Sequence, residues 1–324
     1  MANADERPPL LVLVGPTAVG KTALSLQLAQ QFNAEIISAD SMQVYRRMDI
    51  GTAKLLPEQQ HGVPHHLIDI CEPEHPFSVS EFQSRCTSAI VDIHGRRRLP
   101  FIVGGTGLYV ESVCYGFQFQ DVGSDETFRM EMRSVAEQQG AEALHARLAI
   151  VDPISAAKLH PNDLGRVIRA LEIQHISGQP MSELQTQARG DQKASPYRLC
   201  IIGLTMDRDR LYERIDQRID EMLEQGLVSE VEGLLKEGVP RDAISMRGLG
   251  YKEVAAYLAG EINELEMVHM LKRDTRHFAK RQLSWFRHMQ GLEWVDVEAA
   301  SKNNGLFQAT CDIIAGKFSY QIEY

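Results

Sequence analysis

The eight residues Gly15-Pro16-Thr17-Ala18-Val19-Gly20-Lys21-Thr22 match G-x-x-x-x-G-K-[ST], the pattern of a phosphate-binding loop. The pattern means little unless a strand precedes it and a helix follows. Leu10-Leu11-Val12-Leu13-Val14 reads as a buried strand, and residues 22–30 read as a helix. Between such flanks, successive backbone N–H groups curl around an anion at the positive end of the helix. Lys21 would reach the outer phosphate and the Thr22 hydroxyl would ligate Mg2+. The chemistry on offer is the holding of linked phosphates.

A carboxylate follows the next strand. Residues 34–39 are apolar enough for a strand that ends at Asp40. In an open α/β sheet, ligands sit beyond the carboxyl ends of the strands, where the loop also lies. Asp40 there can take a proton or hold a metal through water, and it can equally do no more than cap a helix. The strongest later strand, Phe101-Ile102-Val103, runs into Gly104-Gly105 instead of the Asp that helps hold Mg2+ in nucleotide hydrolases. Only Asp69, within a weak strand at residues 66–70, resembles such an acid. The metal site is therefore unlike that of a motor ATPase, while a small-molecule kinase or another diphosphate chemistry stays open.

Basic residues gather late in the chain. Lys272, Arg273, Arg276, Lys280, Arg281 and Arg287 face Asp274 alone, a cationic stripe on a chain of net charge −10. On a helix spanning residues 264–289, Leu271, Phe278 and Trp285 repeat every seven residues and predict an apolar face with Met289 nearby. Arg273, Lys280 and Arg287 repeat with the same period about 200° away. That imbalance points to phosphate contact rather than to a neutral solvated face. Arg214 and Arg218 share a face of another helix, and Arg166 and Arg169 lie on a third. Each could serve a phosphate or pair with an acid.

These side chains need a frame. The 324 residues suffice for a sizeable core, and 44% hydrophobic with 24% charged content is ordinary for a soluble globular chain. Strand and helix alternate through the first 115 or so residues, which predicts a parallel sheet with helices on both faces. Residues 80–95 have helical spacing, capped by Ser78 or Ser80, and a strand is expected over residues 198–204. Between, residues 121–194 read as helical and polar, an insertion able to cover or clamp a site. The expected division is 1–116 (first part of the core), 117–196 (inserted helical domain) and 197–324 (the remaining core with carboxyl-terminal helices and the basic helix). The last part is expected to be helical throughout. Cys71, Cys86, Cys114, Cys200 and Cys311 show no C-x-x-C spacing, which argues against zinc and disulfides. His65 and His66, adjacent on a strand, would point to opposite faces, which argues against a shared metal. The polar start of the chain lacks a signal peptide's apolar run, so a cytoplasmic protein with no membrane partner is expected.

The ordered motifs together resemble the tRNA dimethylallyltransferase family. GPTAVGKT (15–22), DSMQVY (40–45), DIGTAK (49–54), HHLID (65–69) and GGTGLY (104–109) carry the resemblance through the first third. RVIRALE (166–172), GLGYKE (248–253) and KRQLSWFR (280–287) carry it onward. Leu55 departs from a frequent Pro and Ser284 from a frequent Thr, and the zinc-finger extension of some eukaryotic members is absent. The resemblance implies a P-loop NTPase-like α/β fold with an inserted helical domain, and transfer of a dimethylallyl group from its diphosphate to the adenosine immediately 3′ of the anticodon. It implies Asp40 as general base, with Lys21, Thr22 and Thr106 also catalytic. The loop residues Gly15, Pro16, Thr17, Ala18, Val19, Gly20, Lys21 and Thr22 would bind the diphosphate, with Arg214 or Arg218 adding charge. Mg2+ would sit at Thr22. The tRNA anticodon stem-loop would meet Asp40, Ser41, Met42, Gln43, Thr106 and Phe128. It would also meet Leu164, Gly165, Arg166, Val167, Ile168, Arg247, Gly248, Leu249, Gly250, Tyr251 and Lys252. Lys280, Arg281, Gln282, Leu283, Ser284, Trp285, Phe286 and Arg287 complete that surface, on an enzyme expected to act as a monomer. Two other readings compete: a small-molecule kinase using the loop for ATP, and a nucleotide-controlled RNA-binding module without transfer chemistry.

Overall fold

The computed structural model describes residues 6–190, 195–302 and 305–318. The leader reading at residues 1–5 and the end of the helical block at 191–194 lie outside the described residues. Six strands form one sheet: β1 (Pro9–Val14), β2 (Ala34–Ala39), β3 (His65–His66), β4 (Leu99–Gly104), β5 (Arg198–Thr205) and β6 (Leu292–Asp296). Their order is β3-β2-β4-β1-β5-β6, and every pairing is parallel. Leu11 stands opposite Phe101 on one side and Cys200 on the other, which places β1 near the centre. Leu10 to Val14 and all of β2 are buried. A strand buried at every residue has both faces covered, so helices flank the sheet on both sides. Each fully buried Leu, Ile or Phe stabilises this base by about 1.5–3 kcal/mol.

The helices follow in chain order. α1 (Lys21–Gln31), α2 (Val79–Gly95) and α3 (Gly107–Cys114) belong to the first stretch of the sheet. α4 (Glu126–Gln139), α5 (Ala141–Val151), α6 (Pro153–Lys158), α7 (Leu164–Ser177) and α8 (Met181–Arg189) come next. α9 (Arg208–Glu224), α10 (Leu227–Lys236), α11 (Tyr251–Leu258), α12 (Glu264–Phe286), α13 (Val297–Lys302) and α14 (Leu306–Phe318) complete the chain. Two compact units result: Met1–Cys114 with Ser195–Tyr324, and Tyr115–Ala194. The second unit packs Leu144, Leu148, Val167, Ile168 and Leu171 into its own core. Its buried Glu172 takes the Asp125 N–H at 2.7 Å and the Arg169 guanidinium at 2.6 Å, which joins α7 to the start of α4.

Three expectations need correction. The strand at 66–70 shrinks to His65–His66, because Leu67 (φ 61°) and Asp69 (φ 55°) adopt left-handed backbone that no strand tolerates. The last part of the chain is not all helix: Leu292–Asp296 adds β6 beside β5. The long helix stops at Phe286 instead of residue 289.

Candidate active site

The phosphate loop is shaped by its glycines. A Cβ on Gly15 would stand 2.8 Å from the Leu204 carbonyl oxygen of β5, so only glycine fits where β1 turns. Ala18 (φ 63°) and Gly20 (φ 106°) wind left-handed and curl the chain into a nest before α1. Gly20 caps α1 without any side-chain hydrogen bond, which leaves the first N–H groups of the helix for a ligand. Lys21 folds over the loop, Nζ donating to the Gly15 and Pro16 carbonyls at 2.9 and 2.7 Å. Burial pulls its ammonium down to about 7, Arg218 pushes the same way, and Asp40 opposes both.

Asp40 follows β2 as the sequence predicts. Its Oδ1 accepts the N–H groups of Met42 (2.8 Å) and Gln43 (3.3 Å), which closes a turn at 41–44 and caps no helix. Oδ2 has no hydrogen-bond partner among the described residues and remains open to a second task. Thr106 is tied to the same segment: its N–H donates to the Ala39 carbonyl, and its Oγ1 accepts the Ser41 N–H at 3.2 Å. Gly104 allows this closeness, since a Cβ there would lie 2.3 Å from the Ala39 oxygen.

A cavity of about 710 Å3 opens over these segments. Thr17, Lys21, Thr22, Asp40 to Gln43 and Thr106 line it, with Arg214, Arg218, Arg247 to Lys252, Arg281 and Gln282 around them. Ile219, Met222, Leu271 and Phe278 supply an apolar stretch of wall. Both sequence-predicted arginines of α9 thus reach the loop, and Arg214 Nη2 comes within 3.7 Å of where a Gly20 Cβ would be. Burial lowers the Arg218 guanidinium below its ordinary value, and Asp40 counters that.

The other expected contact residues differ in exposure. Val167 and Ile168 are buried in the core of the second unit, and Tyr251, Gln282 and Phe286 are buried in the first. Tyr251 and Gln282 nonetheless line the cavity. Leu164 and Phe128 pack against the second unit's core, Phe128 stacking on His175 with ring centroids 4.5 Å apart. Arg166 and Gly165 are exposed there, Arg166 with Asp163 3.4 Å away. On α12 the buried line is Met267, Leu271, Ala279, Gln282 and Phe286, while Trp285 is 38% exposed beside Gly107. A seven-residue repeat drifts about 20° per heptad around a straight helix, so Phe278 and Trp285 leave the core face. The basic stripe divides as well. Lys272, Arg273 and Arg276 pair with Asp220, Asp274 and Asp216. No carboxylate among the described residues pairs with Lys280, Arg281 or Arg287, all exposed. Ser284 is exposed beside them and Leu283 is half-buried.

Sequence reasoning missed Glu230 and Lys54. The Glu230 carboxylate on α10 accepts three consecutive N–H groups, from Asp49, Ile50 and Gly51, and the Tyr251 hydroxyl at 2.6 Å. Lys54, nearly buried, donates to the Tyr45 carbonyl, Asp49 and Asp69 at 2.6–2.8 Å. Together they fix the 49–54 loop, whose Thr52 carbonyl holds the Gln43 amide at 3.1 Å. The motifs DIGTAK and HHLID meet at Lys54, a signal that was present in the sequence. Glu230 lies in an ordinary amphipathic helix and carried none. The histidines have separate partners, His66 with Glu35 at 2.7 Å and His65 with the Val63 carbonyl at 2.9 Å.

Comparison with known proteins follows the same lines. A family model described as IPP transferase matches residues 43–289, and one described as isopentenyl transferase matches residues 8–69. A tRNA dimethylallyltransferase of Geobacillus thermodenitrificans is 49% identical over 308 residues, covering 95% of this chain and 96% of the relative. One from Symbiobacterium thermophilum is 52% identical over 306 residues, 94% of each. The crystal structure of a full-length tRNA isopentenylpyrophosphate transferase from Bacillus halodurans superposes with a TM-score of 0.72 at 46% identity, covering 97% of this chain and 98% of that one. A eukaryotic dimethylallyltransferase acting on tRNA reaches 0.76 at 29% identity, covering 95% and 80%.

Proposed function

The chain belongs to the IPP transferase family, and from that premise we propose that it transfers a dimethylallyl group from dimethylallyl diphosphate to tRNA, onto the exocyclic amine of the adenosine immediately 3′ of the anticodon. The observation that carries this reading is a single cavity shared by a diphosphate cradle, a carboxylate with one unengaged oxygen and an apolar wall. The diphosphate would sit on the loop amides with Lys21, and Arg214 and Arg218 would add charge. The prenyl chain would lie along Ile219, Met222, Leu271 and Phe278. The amine lone pair attacks the allylic carbon, the carbon–oxygen bond breaks, and its electron pair leaves with the diphosphate. N–H donors and cations aimed at that developing charge stabilise the transition state. The amine is a weak nucleophile because its lone pair is shared with the ring, so positioning and proton removal matter. Asp40 Oδ2 takes the amine proton. Thr106 holds the Asp40 segment through Ser41 and keeps its own O–H as a donor toward the substrate.

Mg2+ fits this site. Among the described residues the Thr22 hydroxyl lines the cavity with no hydrogen bond of its own. A single hydroxyl ligand suits an ion that keeps waters and takes phosphate oxygens. Thr22 would hold it, and bound there it would neutralise charge on the departing diphosphate.

The target base must be turned out of its loop to reach the cavity. Arg247, Gly248, Leu249, Gly250 and Lys252 at the cavity edge, with Lys280, Arg281 and Arg287 on α12, would receive the tRNA. Arg166 and Phe128 of the inserted unit would receive it too. The enzyme would act as a monomer in the cytoplasm. Incubation of unmodified tRNA with labelled dimethylallyl diphosphate should label one adenosine, and Asp40→Ala should abolish labelling while tRNA still binds. Near-normal turnover in that variant would remove Asp40 as the base. Phosphorylated small molecules from ATP with unlabelled tRNA would favour a kinase instead.

A further inference from the structure

Gln282 makes two hydrogen bonds that join parts of the site from different ends of the chain. Its Oε1 accepts the Thr17 N–H of the phosphate loop at 2.9 Å, and its Nε2 donates to the Gly105 carbonyl at 3.0 Å. The two partners fix the amide's orientation, since one is a donor and the other an acceptor. The side chain is 7% exposed. Gly105 leaves room for nothing else, because a Cβ there would stand 2.1 Å from Gln282 Nε2. Pro16 has no N–H, so Thr17 supplies the first loop amide after Gly15. Gly105 precedes Thr106, whose hydroxyl holds the segment carrying Asp40. Gln282 also lies on α12 between Lys280 and Arg287, where the unpaired basic side chains are.

We propose that Gln282 is a positioning residue, a clamp that holds the phosphate loop and the Gly105–Thr106 turn in register and ties both to the tRNA-facing end of α12. It touches neither phosphate nor nucleobase. Its effect is to hold the diphosphate cradle and the Asp40 segment at a fixed separation. Loss of the clamp therefore loosens donor binding first and leaves the basic side chains of α12 to bind tRNA as before. The inference rests on the proposed transfer reaction for its kinetic consequence, and on diphosphate binding alone for its structural one.

Gln282→Met keeps the side chain's length and removes both hydrogen bonds. Affinity for diphosphate, measured by calorimetry with Mg2+, should fall about tenfold, the size of one to two net hydrogen bonds. KM for dimethylallyl diphosphate should rise by the same factor while the dissociation constant for tRNA is unchanged. Gly105→Ala, which displaces Gln282 from the other side, should reproduce that pattern with Gln282 intact. Thermal melts identify either variant if it fails to fold, and the other then decides. Unchanged diphosphate affinity in a folded variant overturns the clamp, and so does weakened tRNA binding with donor KM unaltered, which would make Gln282 an RNA contact. If the wild-type chain modifies no tRNA, the transfer reading falls, and the diphosphate affinities still decide the role of Gln282.

Discussion

Lys21 is held between opposing influences, and that gives the site a pH dependence. With its ammonium at about 7 against an ordinary value of 10.5, the free chain loses this proton near neutrality. A bound diphosphate favours the charged form and pulls the proton back. Binding should therefore take up a proton above pH 7, and diphosphate affinity should fall about tenfold per pH unit there until the bound-state value is reached. Calorimetry in buffers of different ionisation enthalpy checks this, and equal heats across buffers at pH 8 would contradict it. Without ligand the sign is the reverse of a salt-bridged lysine. The unfolded chain holds more protons than the folded one above pH 7, so this group's cost to stability shrinks as pH rises. Lys21→Ala should remove the pH dependence and cost about 3 kcal/mol or more in transition-state stabilisation, the loss expected for one oxyanion donor. A drop of less than tenfold in kcat/KM would remove Lys21 from the reaction.

At the scale of elements, α12 shows what a sequence reveals and what it hides. Its existence was legible from periodicity, and the structure adds the Asn263–Glu266 capping box at its start. Its basic face was only half legible, because the aspartates that neutralise Lys272 and Arg276, Asp220 and Asp216, lie far earlier in the chain on α9. Neutralising Lys280 or Arg287 should therefore reduce the slope of log affinity for tRNA against log salt by about 0.7–0.9. Arg276→Ala should leave the slope unchanged, and titrations in a salt series distinguish the two. Equal slopes for all three variants would return the carboxyl-terminal half of α12 to solvent. β6 escaped reading because Leu292–Asp296 becomes a strand by pairing with β5, a contact local pattern does not encode. Glu230 escaped because its task is to accept N–H groups about 180 residues away. Glu230→Ala leaves those donors and the Tyr251 hydroxyl without an acceptor, and should lower stability by about 2 kcal/mol or more in a denaturant melt. No loss would mean that water replaces the carboxylate fully.

The whole molecule joins an acidic body to a short cationic stretch, a distribution that steers a polyanion toward one face. The parallel sheet was readable from the alternation of strand and helix, and the loop between β1 and α1 and the placement of Asp40 from neighbours within a few residues. The cavity was not readable, since its walls come from segments as far apart as Thr17 and Gln282. There, on the proposed reaction, a cradle for linked phosphates would expel them from carbon rather than pass one on. The direct test is the stoichiometry of product release with unmodified tRNA, dimethylallyl diphosphate and Mg2+. The account predicts one inorganic diphosphate released for each prenylated adenosine, with no orthophosphate. Orthophosphate release without a prenylated base would contradict it.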